Sequence, residues 1–196
     1  GGCKIKDTSL ALLTESILGL NLPTTGIVDI ENWLASRLVL APLSGSWNLQ
    51  ILTQDTGICS LVYKKRGEQE SKPISLNVNK GKISNKVCND EYFFDLNRCI
   101  SGGILSTPST QIEISCQDLT NAQISVVYKE GNTIYLLAPP VSARGIFTIN
   151  NGFFGNREDT LYANWALNKI GSKVNSELYL KKNQENKVLE KSLLYM

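Results

Sequence analysis

The stretch from Gln123 to Pro140, QISVVYKEGNTIYLLAPP, admits few folds. Two runs rich in β-branched and aromatic residues flank Lys129-Glu130-Gly131-Asn132, and glycine and asparagine tolerate the positive φ of a tight reversal. The pattern predicts a β-hairpin closed by Pro139 and Pro140, which have no amide hydrogen to extend a ladder. Upstream, Ile112 and Ile114 alternate with Glu113 and Ser115, the two-residue period of a half-buried strand. The middle of the chain therefore reads as antiparallel sheet.

The ends read differently. Leu10, Leu13, Ile17 and Leu20 recur at helical spacing behind Asp7 or Thr8 as cap, with Gly19 and Pro23 as the stop. A second helix has Asp29 at its cap, Ile30, Trp33, Leu34 and Leu38 on one face and Pro42 beyond it, with the Arg37 stem lying along the surface. A third runs from Asp159 to Ile170, with Glu158 and Asp159 at its start, Leu161, Trp165 and Ile170 toward one side, and Lys169 and Gly171 at its end.

Between them, Trp47 to Thr53 and Ile58 to Lys64 read as a hairpin around Gln54-Asp55-Thr56-Gly57, and Ile74 to Asn79 returns through Lys80-Gly81 into Ile83 to Cys88. A four-strand meander is expected there. Asn89 to Gly103 reads as a short helix or an irregular crossover, and Gly145 to Ile149 as a further strand. Residues 176–196 fit either a hairpin or a charged helix.

The expected fold is α+β: two N-terminal helices, a mainly antiparallel sheet of about six or seven strands, and a C-terminal helix. The 196 residues suit a single domain spanning 1–196, with 172–196 open to being a peripheral segment. Apolar residues make up 42% and charged residues 19%, with a formal charge of +2, so no strong electrostatic partner is implied. The apolar stretches Leu10 to Leu20 and Leu34 to Leu43 are too short to span a bilayer. The chain begins at glycine, which leaves room for a targeting segment or membrane anchor removed before Gly1, and Gly2-Cys3 could be a lipid-attachment site or a plain surface thiol.

Chemistry is narrowed most by one absence. There is no histidine, the usual proton shuttle near neutral pH and the commonest transition-metal ligand. Ser-His-Asp and Cys-His nucleophiles and histidine zinc sites are excluded unless a partner supplies the residue. The sequence also has no phosphate-binding GxxxxGK[ST] loop and no GxGxxG. Two carboxylates or a serine-lysine pair would remain for a hydrolase or transferase, drawn from Asp90, Glu91, Asp95, Glu158, Asp159 or Lys169 beside a serine.

Five cysteines are an odd number without metal-knuckle spacing. Cys88 and Cys99 bracket a short segment and are the favoured disulfide pair, with reduced buried thiols as the alternative. This usage leans toward an oxidising setting, periplasmic, cell-envelope or virion-associated, and the lack of Asn-x-Ser/Thr acceptors leans toward a bacterial or viral source.

Lysines and arginine at Lys64-Lys65-Arg66, at Lys80, Lys82 and Lys86, and at Lys181-Lys182 could make a nucleic-acid or acidic-lipid face if the sheet joined them. The near-neutral charge argues against it, and charged strand edges explain them as well. Phe153 and Phe154, set among glycines and asparagines, either plug the core or present an anchor to a partner.

The reading that results is a non-enzymatic protein-protein interaction module. It would be a subunit or accessory domain of a bacterial or viral assembly, such as a secretion, pilus-like or particle assembly. It would have protein partners, no cofactor and no metal, with Phe153 and Phe154 as contact residues.

Overall fold

A computed structural model describes residues 4–19, 23–100 and 106–183. Gly2-Cys3 and the tail beyond Asn183 lie outside the described residues. The protein is α+β. It divides into two compact units, Gly1–Ala41 with Asn150–Met196, and Pro42–Ile149.

The first unit is helical. It holds α1 (Ile5–Leu18), α2 (Thr24–Ser36) and β1 (Val39–Leu40) from the start of the chain, and β12 (Gly152–Phe153), α3 (Arg157–Lys169) and α4 (Glu177–Lys182) from its end. The part of 172–196 that is described, residues 172–183 with α4, belongs to this unit. Its core joins Leu12, Leu13, Leu34, Leu38, Phe154, Ala163, Ala166 and Leu167.

The α1 face is rotated from the expected one. Ser9, Leu12 and Leu13 are buried, whereas Leu10, Ile17 and Leu18 are exposed. Apolar residues occupy several sides of this helix, so spacing alone could not select the packed stripe. On α3 the buried stripe is Thr160, Ala163, Asn164, Ala166 and Leu167. Small side chains there let α1 approach closely, while Trp165 and Ile170 are partly buried and pack against the same core and Leu161 is half-buried.

Helix α2 begins at Thr24 after Pro23, five residues before Asp29, because proline is pre-organised for a helix start. The ribbon of β1 and β12 pairs Val39 with Phe153 and Leu40 with Gly152. The Ala41 amide donates to the Asn151 carbonyl at 2.7 Å, extending it.

The second unit is all β: β2 (Ser46–Leu52), β3 (Thr56–Lys65), β4 (Ile74–Asn79), β5 (Lys82–Ser84), β6 (Phe94–Asp95), β7 (Ser109–Cys116), β8 (Gln123–Glu130), β9 (Thr133–Leu136), β10 (Val141–Ser142) and β11 (Arg144–Asn150). These make two antiparallel five-stranded sheets. One runs β10-β8-β2-β6 with β9 also on β8, and the other β11-β7-β3-β4-β5.

The organising hairpin forms as β8 and β9, with Glu130 opposite Thr133 and Gly131 at φ +55°. Pro139 and Pro140 separate β9 from β10 along the same edge of β8. The β4-β5 turn is a two-residue reversal in which Lys80 (φ +48°) and Gly81 (φ +82°) both take the left-handed conformation.

The expected hairpin at Gln54–Gly57 does not form. β2 pairs with β8 and β6, while β3 pairs with β4 and β7. The chain passes from one sheet to the other at Asp55, whose carbonyl accepts from the Lys80 amide (3.0 Å) and whose carboxylate accepts from Thr120 Oγ1 (3.1 Å). Gly57 serves a packing need, since a Cβ there would meet Leu119 Cδ2 at 2.9 Å. The expected single sheet is thus two sheets, and the four-strand meander is reduced to β3-β4-β5.

An apolar buried row comes from each sheet, and Asn48, Ser125 and Val127 on the other face of the first are buried too. Trp47, Leu49, Ile51, Ile124, Val126 and Tyr128 line the first, and Cys59, Leu61, Leu76, Val78, Ile112 and Ile114 the second. Trp47 meets Tyr128 edge-on at 5.6 Å. The Tyr128 hydroxyl accepts from the Gly45 amide at 2.6 Å, where a Cβ on residue 45 would collide with the Lys129 carbonyl at 2.3 Å.

Two disulfides lie in this unit. Cys59–Cys116 joins directly opposed residues of β3 and β7, and Cys88–Cys99 closes a loop after β5 that contains β6. That loop, read as a short helix or a crossover, is turns around the short β6. No helix among the described residues is long and apolar enough to cross a membrane.

Candidate functional site

Three helix ends of the helical unit converge on an open groove of about 780 Å³. The start of α1 contributes Lys4, Ile5, Lys6 and Asp7, and the last turn of α2 contributes Trp33 and Arg37. The start of α3 contributes Asn156, Glu158 and Asp159.

Each wall has a local cause. Asn156 caps α3: its Oδ1 accepts from the Asp159 amide (2.8 Å) and its Nδ2 donates to the Asp159 carboxylate (2.6 Å). Such a cap supplies about 1 kcal/mol, and acids in the first turn face the positive end of the helix dipole. Substituting Asn156→Ala is expected to lower stability by about 1 kcal/mol in thermal unfolding; an unchanged midpoint would mean the helix start is not held by this side chain.

Lys6 bridges to Glu158. That hydrogen bond, chiefly, raises the Lys6 pKa above the ordinary lysine value, so Lys6 stays a cation across the neutral range. Both partners are solvent-exposed, so the pair orients side chains more than it stabilises. Arg37, the C-cap of α2, stacks over the Trp33 ring at 5.0 Å, a cation-π contact at four-residue spacing. Trp33 packs its other side on the helical core. The groove therefore interleaves cations and anions around an aromatic-guanidinium pair.

The remaining sequence candidates are dispersed. Asp95 Oδ1 accepts from the Asn97 and Arg98 amides at 2.9 and 3.0 Å, a turn function, and Glu91 pairs with Arg98. Each of these carboxylates thus has a structural partner. Lys64 and Lys80 lie beyond opposite ends of the β3-β4 ladder, roughly 30 Å apart at the usual rise per strand residue. The sheet does not join those two basic groups, and Lys82 lies over the Tyr92 ring at 5.6 Å.

Phe154 is 1% exposed and sits in the helical core, its amide donating to Thr160 Oγ1 at 2.9 Å. As a core residue it is not available as a surface anchor. Phe153 is half-buried and stacks on Tyr179 at 4.7 Å.

In the β unit, β9 pairs only with β8 among the described residues, and it exposes Ile134 and Leu136. The sequence places Trp33 on a helix face and Arg37 along the surface. Their four-residue spacing was the available signal for the pair, whereas nothing in the sequence announces three helix ends meeting.

The chain was compared with protein-family models, with curated proteins and with solved structures. None matches.

Proposed function

We propose that the protein is a non-enzymatic protein-protein interaction module, a subunit or accessory domain of a larger assembly, and that the groove at the three helix ends is its contact. The observation that carries this reading is the arrangement of Lys4, Lys6 and Arg37 with Asp7, Glu158 and Asp159 around the Trp33-Arg37 stack. Tryptophan and arginine dominate binding energy at protein interfaces. Interleaved charges suit a partner segment that carries both signs beside an apolar side chain. A polyanion would instead need cations without acids among them. Catalysis would need acids freed from structural duties, whereas Asp159 serves a cap and Glu158 an ion pair.

The test is recovery of partners by the tagged full-length chain from its native host, followed by titration of the purified partner against variants. Arg37 is exposed, so Arg37→Glu should cost only about 1–2 kcal/mol of stability, from the lost ring contact and the reversed charge at the helix end, and leave the chain folded while weakening binding at least about thirtyfold, the scale of an interface hot spot. Unchanged affinity in Arg37→Glu and Trp33→Ala would overturn the assignment of the groove. Affinity falling by several decades between low and moderate salt would mark a nucleic-acid partner instead.

A further inference from the structure

The loop closed by Cys88–Cys99 carries a third potential ligand. The sulfurs of Cys88 and Cys99 and a carboxylate oxygen of Glu91 all lie within 4.8 Å of one another, and no other such trio of histidine, cysteine or acidic side chains occurs among the described residues. We propose that reduction of this disulfide creates a binding site for a thiophilic divalent cation of the zinc type, held by the two thiolates and Glu91.

Zinc bonds of about 2.3 Å to sulfur and 2.0–2.2 Å to oxygen hold tetrahedral ligand atoms within that mutual distance. The fourth position would take water.

The frame that holds these ligands does not depend on the sulfur-sulfur bond. Asn85 Oδ1 accepts from the Cys88 amide and Asn85 Nδ2 donates to the Cys99 carbonyl, both at 2.8 Å. The Cys99 amide donates to the Asp95 carbonyl at 2.9 Å. Glu91 exchanges both backbone hydrogen bonds with Ile83, at 2.8 and 3.0 Å. All three ligand backbones stay tied after reduction, so the freed sulfurs need only part to ligand spacing.

Surroundings and charge also fit. Cys99 is fully buried and Cys88 is 7% exposed, while the Glu91 side chain is 30% exposed and gives a cation its access. Two thiolates, one carboxylate and a divalent cation sum to one negative charge. Arg98, already paired with Glu91, offsets it.

The chemistry balances in two steps. A dithiol reductant gives two electrons and two protons to the Cys88–Cys99 bond and leaves as its own disulfide. The cation then displaces the two thiol protons to solvent as it binds the sulfurs.

The probe is Co²⁺ alone, added anaerobically to the full chain carrying Cys3→Ser after reduction and removal of the reductant, with free thiols counted. One equivalent should bind, with thiolate-to-cobalt charge-transfer absorption, and zinc should displace it. The oxidised protein should show neither. The signal should survive Cys59→Ala with Cys116→Ala, vanish in Cys88→Ser, and weaken at least about tenfold in affinity in Glu91→Gln, a variant that tests the site even if Cys88→Ser does not fold.

Absence of the band with both loop thiols free, its persistence in Cys88→Ser, equal affinity in Glu91→Gln, or a loop disulfide that resists reduction in the folded chain would each overturn the proposal.

Discussion

Replacing Cys59 and Cys116 together by alanine is expected to cost about 4 kcal/mol. The two residues are 57 apart in sequence, and a cross-link over a loop of that length removes unfolded-chain entropy worth about 4 kcal/mol in the chain-entropy account. The two cysteines are 0% and 5% exposed, so the replacement also thins the core. Cys88–Cys99 spans 11 residues, and the same account gives it about 3 kcal/mol. Urea unfolding followed by near-ultraviolet circular dichroism measures both. The double alanine variant at 59 and 116 should show the larger fall in midpoint, with a steeper slope because the unlinked unfolded chain exposes more surface. A loss under 1 kcal/mol would mean that the β3-β7 ladder holds these residues together without the bond, even in the unfolded chain.

The second large effect separates two adjacent phenylalanines. Phe154→Ala empties a site 1% exposed among Leu12, Leu34 and Leu167 and is expected to cost about 3–5 kcal/mol. Phe153→Ala removes a half-buried ring and its stack on Tyr179, with about 1 kcal/mol expected from the aromatic pair. Thermal unfolding of the two single variants decides it. Equal losses would contradict the inward placement of Phe154. Loss of a partner in the double variant would report unfolding rather than a contact, which makes Arg37 the better residue to alter.

What could be read from the residues depended on how local the cause was. The β8-β9 and β4-β5 turns are set by two residues between alternating strands, and both were legible. Gln54–Gly57 carried the same kind of signal but a different cause, since Gly57 answers to Leu119 across the fold. The α1-α3 contact was hidden for a related reason: it is built on Ala163 and Ala166, whose smallness matters only once a second helix is known to lie there. The groove was half legible. Trp33 and Arg37 are one helical turn apart on a predicted helix, but their meeting with Lys6 and Glu158 is fixed by packing between segments more than a hundred residues apart.

The pairing of β1 with β12 has a consequence in time. Leu12, Leu13 and Leu34 are made early, and their core partners Ala163, Ala166 and Leu167 come more than a hundred residues later. At about 5–20 residues per second, the ribosome leaves those leucines uncovered for on the order of ten seconds. The intervening 42–149 unit is contiguous and can finish in that interval. The two-stranded clasp can close as soon as β12 is made, the contact with α3 only later, so the first helices are the part of the nascent chain that waits longest for its core partner.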